Sequence, residues 1–157
     1  KKHNLFSSVE LQSRYTVWLE MYEKIVEIEA RTLLEMVNTL VLPPAYKYQA
    51  DMADGLNLLK DLSDSGSVKF VDGALDDRKE TLAKLTADIY YIRKNIRELE
   101  RILEKTSSMD LESRAACYFS ELKPHMEHIR RHVDALENSM PDSSWLLPKY
   151  REMLFIS

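Results

Sequence analysis

Residues 82–103 read LAKLTADIYYIRKNIRELERIL. Leu82, Ile89, Ile96 and Leu103 stand seven apart, and Leu85, Ile92 and Leu99 fill the alternate position. Two apolar rows at this spacing form a heptad seam along one side of a helix, here over about 74–106. Such a seam calls for left-handed packing against an antiparallel neighbour. A second copy could cover it. The chain also carries other long amphipathic stretches, so an intramolecular bundle is the expected solution.

Upstream, DLSDSGSVKFVDG (residues 61–73) is the clearest break, because its Ser, Asp and Gly residues favour turns and the Val68–Val71 run is too short to demand a strand. Before it, Ala45, Tyr48, Met52, Leu56 and Leu59 recur at helical spacing and predict a helix over 44–62. Pro43 and Pro44 supply no amide to a helical ladder and should end or kink whatever precedes them. That preceding stretch predicts a helix over 8–42, about 50 Å long at 1.5 Å per residue. Ser7 and Glu10 have capping-box spacing, with Phe6 placed as a staple. Leu11, Tyr15, Trp18, Tyr22 and Ile25, widened by Leu19, Val26, Leu33, Val37 and Leu40, mark the face expected to be buried.

Downstream, Ser108 or Asp110 can cap a helix over 110–139 that carries Leu122, Met126, Ile129, Val133 and Leu136. Pro124 lies inside this pattern and predicts a kink or restart after Leu122. The closing residues 141–157 include SSWLLPKYREMLFIS, which is too aromatic and apolar for a solvated tail and should pack on something. The expected fold is therefore all-α: an antiparallel four-helix-bundle-like domain with long helices and a packed extension over 141–157. If the proline pair only kinks the first rod, the fold becomes three long rods in hairpins.

With 157 residues, 45% of them apolar, the chain suits one domain with its own core. Three Gly and five Pro are too few for an all-β fold with its many turns. A net charge of −4 with no basic block disfavours nucleic acid. No apolar run approaches the roughly 20 residues that span a bilayer. The lone cysteine, Cys117, cannot form an internal disulfide, so a reducing, cytoplasmic compartment is expected. The opening KKHNLF has neither an initiator Met nor a signal-like core, and a piece of a longer polypeptide is the expected source.

No catalytic constellation emerges. His125, His128 and His132 share a helix face with Glu121 and are weak candidates for a metal, against the plainer reading of a polar face. A di-iron site is closed, because no Glu has a His three residues later. Glu29 falls where the first helix should be apolar, and is expected to be a half-buried carboxylate bonded to Arg14, Arg31 or a tyrosine. Cys117 reads as a small core residue, and Arg93, Lys94, Arg97 and Arg101 as a solvated face. Trp145, Tyr150, Leu154 and Phe155 form the candidate contact set.

The opening resembles the start of the C-terminal helical region of type III glutamine synthetases, on His3-Asn4, Phe6, Glu10-Leu11, Ser13-Arg14-Tyr15, Ile28-Glu29-Ala30, Met36, Leu42-Pro43 and Tyr48. Pro124, Met126, Arg130, Asp134 and Leu136-Glu137 resemble the last long helix of that region. Trp145, Pro148, Tyr150 and Leu154-Phe155 resemble its closing motif, with Leu146 in place of a proline. The resemblance implies a parent enzyme that joins ammonia to glutamate using ATP and Mg or Mn and assembles into homo-oligomeric rings. It implies that the catalytic, nucleotide and metal residues lie in parts preceding this one. This chain would then hold no cofactor and no catalytic residue, and its partner would be the preceding catalytic domain. The alternative is a free-standing helical module that binds another protein.

Overall fold

Ser7 starts the first helix: its hydroxyl accepts from the Glu10 amide at 3.2 Å while the Glu10 carboxylate accepts from the Ser7 amide at 2.7 Å. The expected capping box is formed, and two helix-end amides are satisfied. A computed structural model describes residues 7–149. Phe6, the expected staple, lies outside them, as do Tyr150, Leu154 and Phe155.

Helix α1 (Ser8–Met36) passes through a π-helical turn (Val37–Val41) straight into α2 (Leu42–Asp64), so the first two expected helices form one rod with no loop at the prolines. The loop at 65–73 follows, with Gly66 at φ +70° and Gly73 at φ +85°, a left-handed conformation that glycine adopts without steric cost. Helix α3 (Ala74–Thr106) is the second rod. Asp110 then accepts from the Ser113 amide at 3.0 Å and caps α4 (Leu111–Cys117), which runs through a π-helical turn (Tyr118–Leu122) into α5 (Lys123–Ser139). A short 3-10 turn (Asp142–Ser144) leads to Trp145. The described residues thus form three rods, the second of the two pictures left open by the sequence, and contain no strand.

The two π turns share one cause. Each ends two residues before a proline, and in each the next amide reaches back five residues: Leu42 N–H to the Val37 carbonyl, Lys123 N–H to the Tyr118 carbonyl. A proline ring cannot donate and crowds the carbonyl four residues earlier; one extra residue in the turn opens room for it. At those earlier positions stand Thr39 and Ser120, whose hydroxyls donate to the Glu35 and Ala116 carbonyls at 2.7 Å and 2.9 Å. The rods therefore continue where the sequence pattern alone suggests a break.

Contacts fix the pairing. Asn95 meets His125 and Asp88 meets His132, so seven residues back along α3 correspond to seven forward along α5, and the two rods are antiparallel. Gln49 of α2 bonds Thr86 of α3 at 2.8 Å across the hairpin made by the 65–73 loop. On α3, Leu85, Ile89, Ile92, Ile96, Leu99 and Leu103 are buried and Leu82 is half-buried, as the heptad seam requires. Ile102 and Thr106 are buried beside them, the Thr106 hydroxyl donating to the Ile102 carbonyl at 2.8 Å. Leu122, Ile129 and Leu136 of the third rod and Val37 and Val41 of the first complete the core.

Candidate functional site

On α1 and the π turn after it the expected face divides: Leu19, Val26, Leu33, Val37 and Leu40 are buried or half-buried as expected, and the aromatic row is not. Leu11, Tyr15, Trp18 and Ile25 are exposed, Trp18 by 73%, and Tyr22 is half-buried. The row that packs inward is displaced by one residue: Leu19, Glu23, Val26, Ala30, Leu33 and Val37, all buried or half-buried. One residue is about 100° around an α-helix, so these are two neighbouring faces. The aromatic row was the stronger apolar signal, while the true inner row contains an acid and an alanine.

That acid is Glu23, and it corrects the expectation for Glu29. Glu29 is exposed. Glu23 is 7% exposed and accepts from Arg114 Nη1 at 2.6 Å, while Arg114 Nη2 donates to the Met109 carbonyl at 2.7 Å. The pair ties α1 to the start of the third rod. A buried carboxylate of this kind needs its partner, and the guanidinium fork satisfies it along with a backbone carbonyl.

The three imidazoles are held apart by separate bonds. His125 Nδ1 lies 2.7 Å from Asn95 Oδ1, and the Arg131 guanidinium lies 2.7 Å from His128 Nδ1. His132 Nδ1 lies 2.8 Å from Asp88 Oδ1, and its ring stacks on Tyr91 with centroids 5.1 Å apart. Among the described residues no three His, Cys, Asp or Glu side chains converge to hold a metal ion. The described residues therefore offer no ligand set for the Mg or Mn that the resemblance implies for the parent enzyme. Cys117 is buried; burial first, then the neighbouring Glu121 carboxylate, push its thiol up, so it rests neutral and is a poor nucleophile. The Lys105 ammonium beside Glu121 holds that carboxyl below the usual range.

A groove of about 840 Å³ runs between α1 and α5. Leu33, Val37, Met126 and Val133 are among its apolar lining, Glu29, Arg130 and Asp134 are among its charged lining, and Trp145 and Leu147 help to line it. Trp145 is 8% exposed and packs on the core, and its indole N–H has no partner among the described residues. Lys149 fixes the path of this closing segment. Its ammonium donates to the Glu137 and Met140 carbonyls at 3.0 Å and 3.2 Å, placing a cation at the negative end of α5. The Trp145 part of the extension therefore packs on its own bundle. The other three members of the candidate contact set lie outside the described residues.

Besides this groove, the described surface carries an uncovered apolar row on α1. Among the described residues no helix is long and apolar enough to cross a membrane. The part of the inner row that the expectation missed is Glu23, a carboxylate in register with Leu19, Val26 and Ala30, whose partner Arg114 lies inside α4.

The family model for the glutamine synthetase C-terminal domain matches residues 1–60, which contain α1 and most of α2. The type-3 glutamine synthetase of Dictyostelium discoideum is 29% identical over 98% of this chain and 20% of its own length. A glutamine synthetase of Bacteroides fragilis is 30% identical over 96% of this chain and 20% of its own length. One from Butyrivibrio fibrisolvens is 25% identical over 98% of this chain. The chain spans about a fifth of the length of these curated relatives. The first 60 residues thus match the glutamine synthetase C-terminal domain family, and the chain as a whole is similar to a fifth of each of these glutamine synthetases.

Proposed function

We propose that this chain is a non-catalytic structural and assembly domain of a glutamine synthetase, bracing the catalytic part that precedes it in the same polypeptide. In this reading the full-length, cytoplasmic, homo-oligomeric enzyme forms glutamine from glutamate and ammonia. Its ATP and Mg or Mn are held by residues outside these 157. The observation that carries the reading is the near end-to-end match of this chain to only a fifth of each relative. Glu23, His125 and His132 are engaged in bonds that link the rods, which fits a brace.

The test is truncation of the full-length parent before Pro141, which removes Trp145, Tyr150, Leu154 and Phe155. A lower melting temperature or a smaller oligomer is expected, with chemistry preserved in whatever remains assembled. Unchanged melting together with unchanged oligomer size would sink the proposal. The groove between α1 and α5 favours the second reading, a free-standing module that binds a protein segment. A native polypeptide near 18.4 kDa in source cells would support that reading, and one several times larger the first.

A further inference from the structure

The outer row of α1 is the largest feature that the fold leaves unused. Leu11, Tyr15, Trp18 and Ile25 follow three-four spacing, and Met21 and Ile28 lie alongside, each at least half exposed. Monomers seldom expose contiguous apolar patches beyond a few hundred Å², and a standard interface takes about 800 Å² from each partner. Six large side chains on one helix approach that size. The spacing is that of a second coiled-coil seam, which a helix or flat apolar surface can cover.

Two observations say what covers it. The row runs from Leu11 to Ile28 within α1, whereas from Val37 onward the same rod is packed against α3 and the third rod. The relatives carry about four-fifths of their length outside the match, and the family model is that of a C-terminal domain, so that remainder would enter at the amino-terminal end of α1. We infer that the outer row of α1 is the docking surface for the preceding part of the same polypeptide. The inference rests on the proposed function and deepens it by naming the surface. The partner surface is an apolar one, reached in cis, adjoining the junction before residue 7.

The experiment uses the full-length parent carrying Leu11→Glu and Trp18→Glu together, with Tyr90→Glu on exposed α3 as the matched control. Limited proteolysis at the junction reads undocking, because cleavage follows the population of the opened state. The double variant is expected to be cut roughly tenfold faster or more, which corresponds to about 1.4 kcal/mol of lost docking, with the control unchanged. Equal cutting of double variant and parent would overturn the inference. A change of subunit number with unchanged cutting would also overturn it, and would assign the row to a second copy. Glutamine formation by the unsubstituted parent is measured separately. Its absence defeats the proposed function, while the cleavage result still decides the docking.

Discussion

The two rows of α1 face different tasks although they are one residue apart. The inner row, Leu19-Glu23-Val26-Ala30-Leu33-Val37, is the less hydrophobic and holds the fold; the outer row, with Trp18 and Tyr15, is the more hydrophobic and is left to solvent. Hydrophobicity alone does not choose the buried face of a helix. The choice falls to the face whose side chains fit the neighbouring rods, and here a small Ala30 with 0% exposure allows close approach while Glu23 finds Arg114.

The sharpest way to break this comparison is to place the same charge on each row. Val26→Glu puts a carboxylate at a position 3% exposed with no cation assigned to it, and should cost about 4 kcal/mol or more. Trp18→Glu in the 157-residue chain should stay within roughly 0.5 kcal/mol of the parent. Denaturant titration of both variants checks the contrast, and comparable losses would mean that the rows are not distinct.

Next in size is the α3 seam that the inner row helps to cover. Ile92→Ala, at 0% exposure, should lose about 2–5 kcal/mol with a matching fall in melting temperature. Glu23→Ala should cost less, about 2 kcal/mol, because the Arg114 side chain keeps 25% of its surface in water and can be partly resolvated. A double-mutant cycle with Arg114→Ala reads the coupling, and a coupling of zero would remove the pair from the account.

The smallest effect belongs to the helix ends. The Ser7 amide holds the Glu10 carboxyl below its usual range, and the Ser113 amide does the same for Asp110. Each folded value is depressed, so the contribution is complete above the ordinary carboxylate range near about pH 4. It is lost as the pH falls through the lower folded values. Amide exchange at the first turns of α1 and α4 should quicken only in that acid window. Asp110→Asn should flatten the response at α4 alone.

Much of the fold was legible in residues. The heptad seam of α3 predicts its buried side almost residue for residue, because both rows are uniformly aliphatic and no competing face exists. The caps at Ser7 and Asp110 were legible because their chemistry is local. The proline sites were half legible: a disturbance was predictable, yet the extra residue that lets each rod run on as a π turn leaves no mark in the apolar spacing. The inner row of α1 was partly legible, because Leu19, Val26, Leu33 and Val37 belong to the expected stripe; Glu23 was not, since it is acceptable inside only because Arg114, 91 residues away, is brought to it. Cys117 was read correctly as a small core residue, while the histidine cluster dissolved because each imidazole met a different partner on α3 or α5.

The most direct test of the two-row account is side-chain oxidation by hydroxyl radicals, read by mass spectrometry at Trp18, Met21 and Trp145. In the 157-residue chain, Trp18 and Met21 should be modified readily and Trp145, 8% exposed, should be protected. In the full-length parent, all three should be protected, because the preceding part covers the outer row. Equal modification of Trp18 and Met21 in both polypeptides would contradict the account.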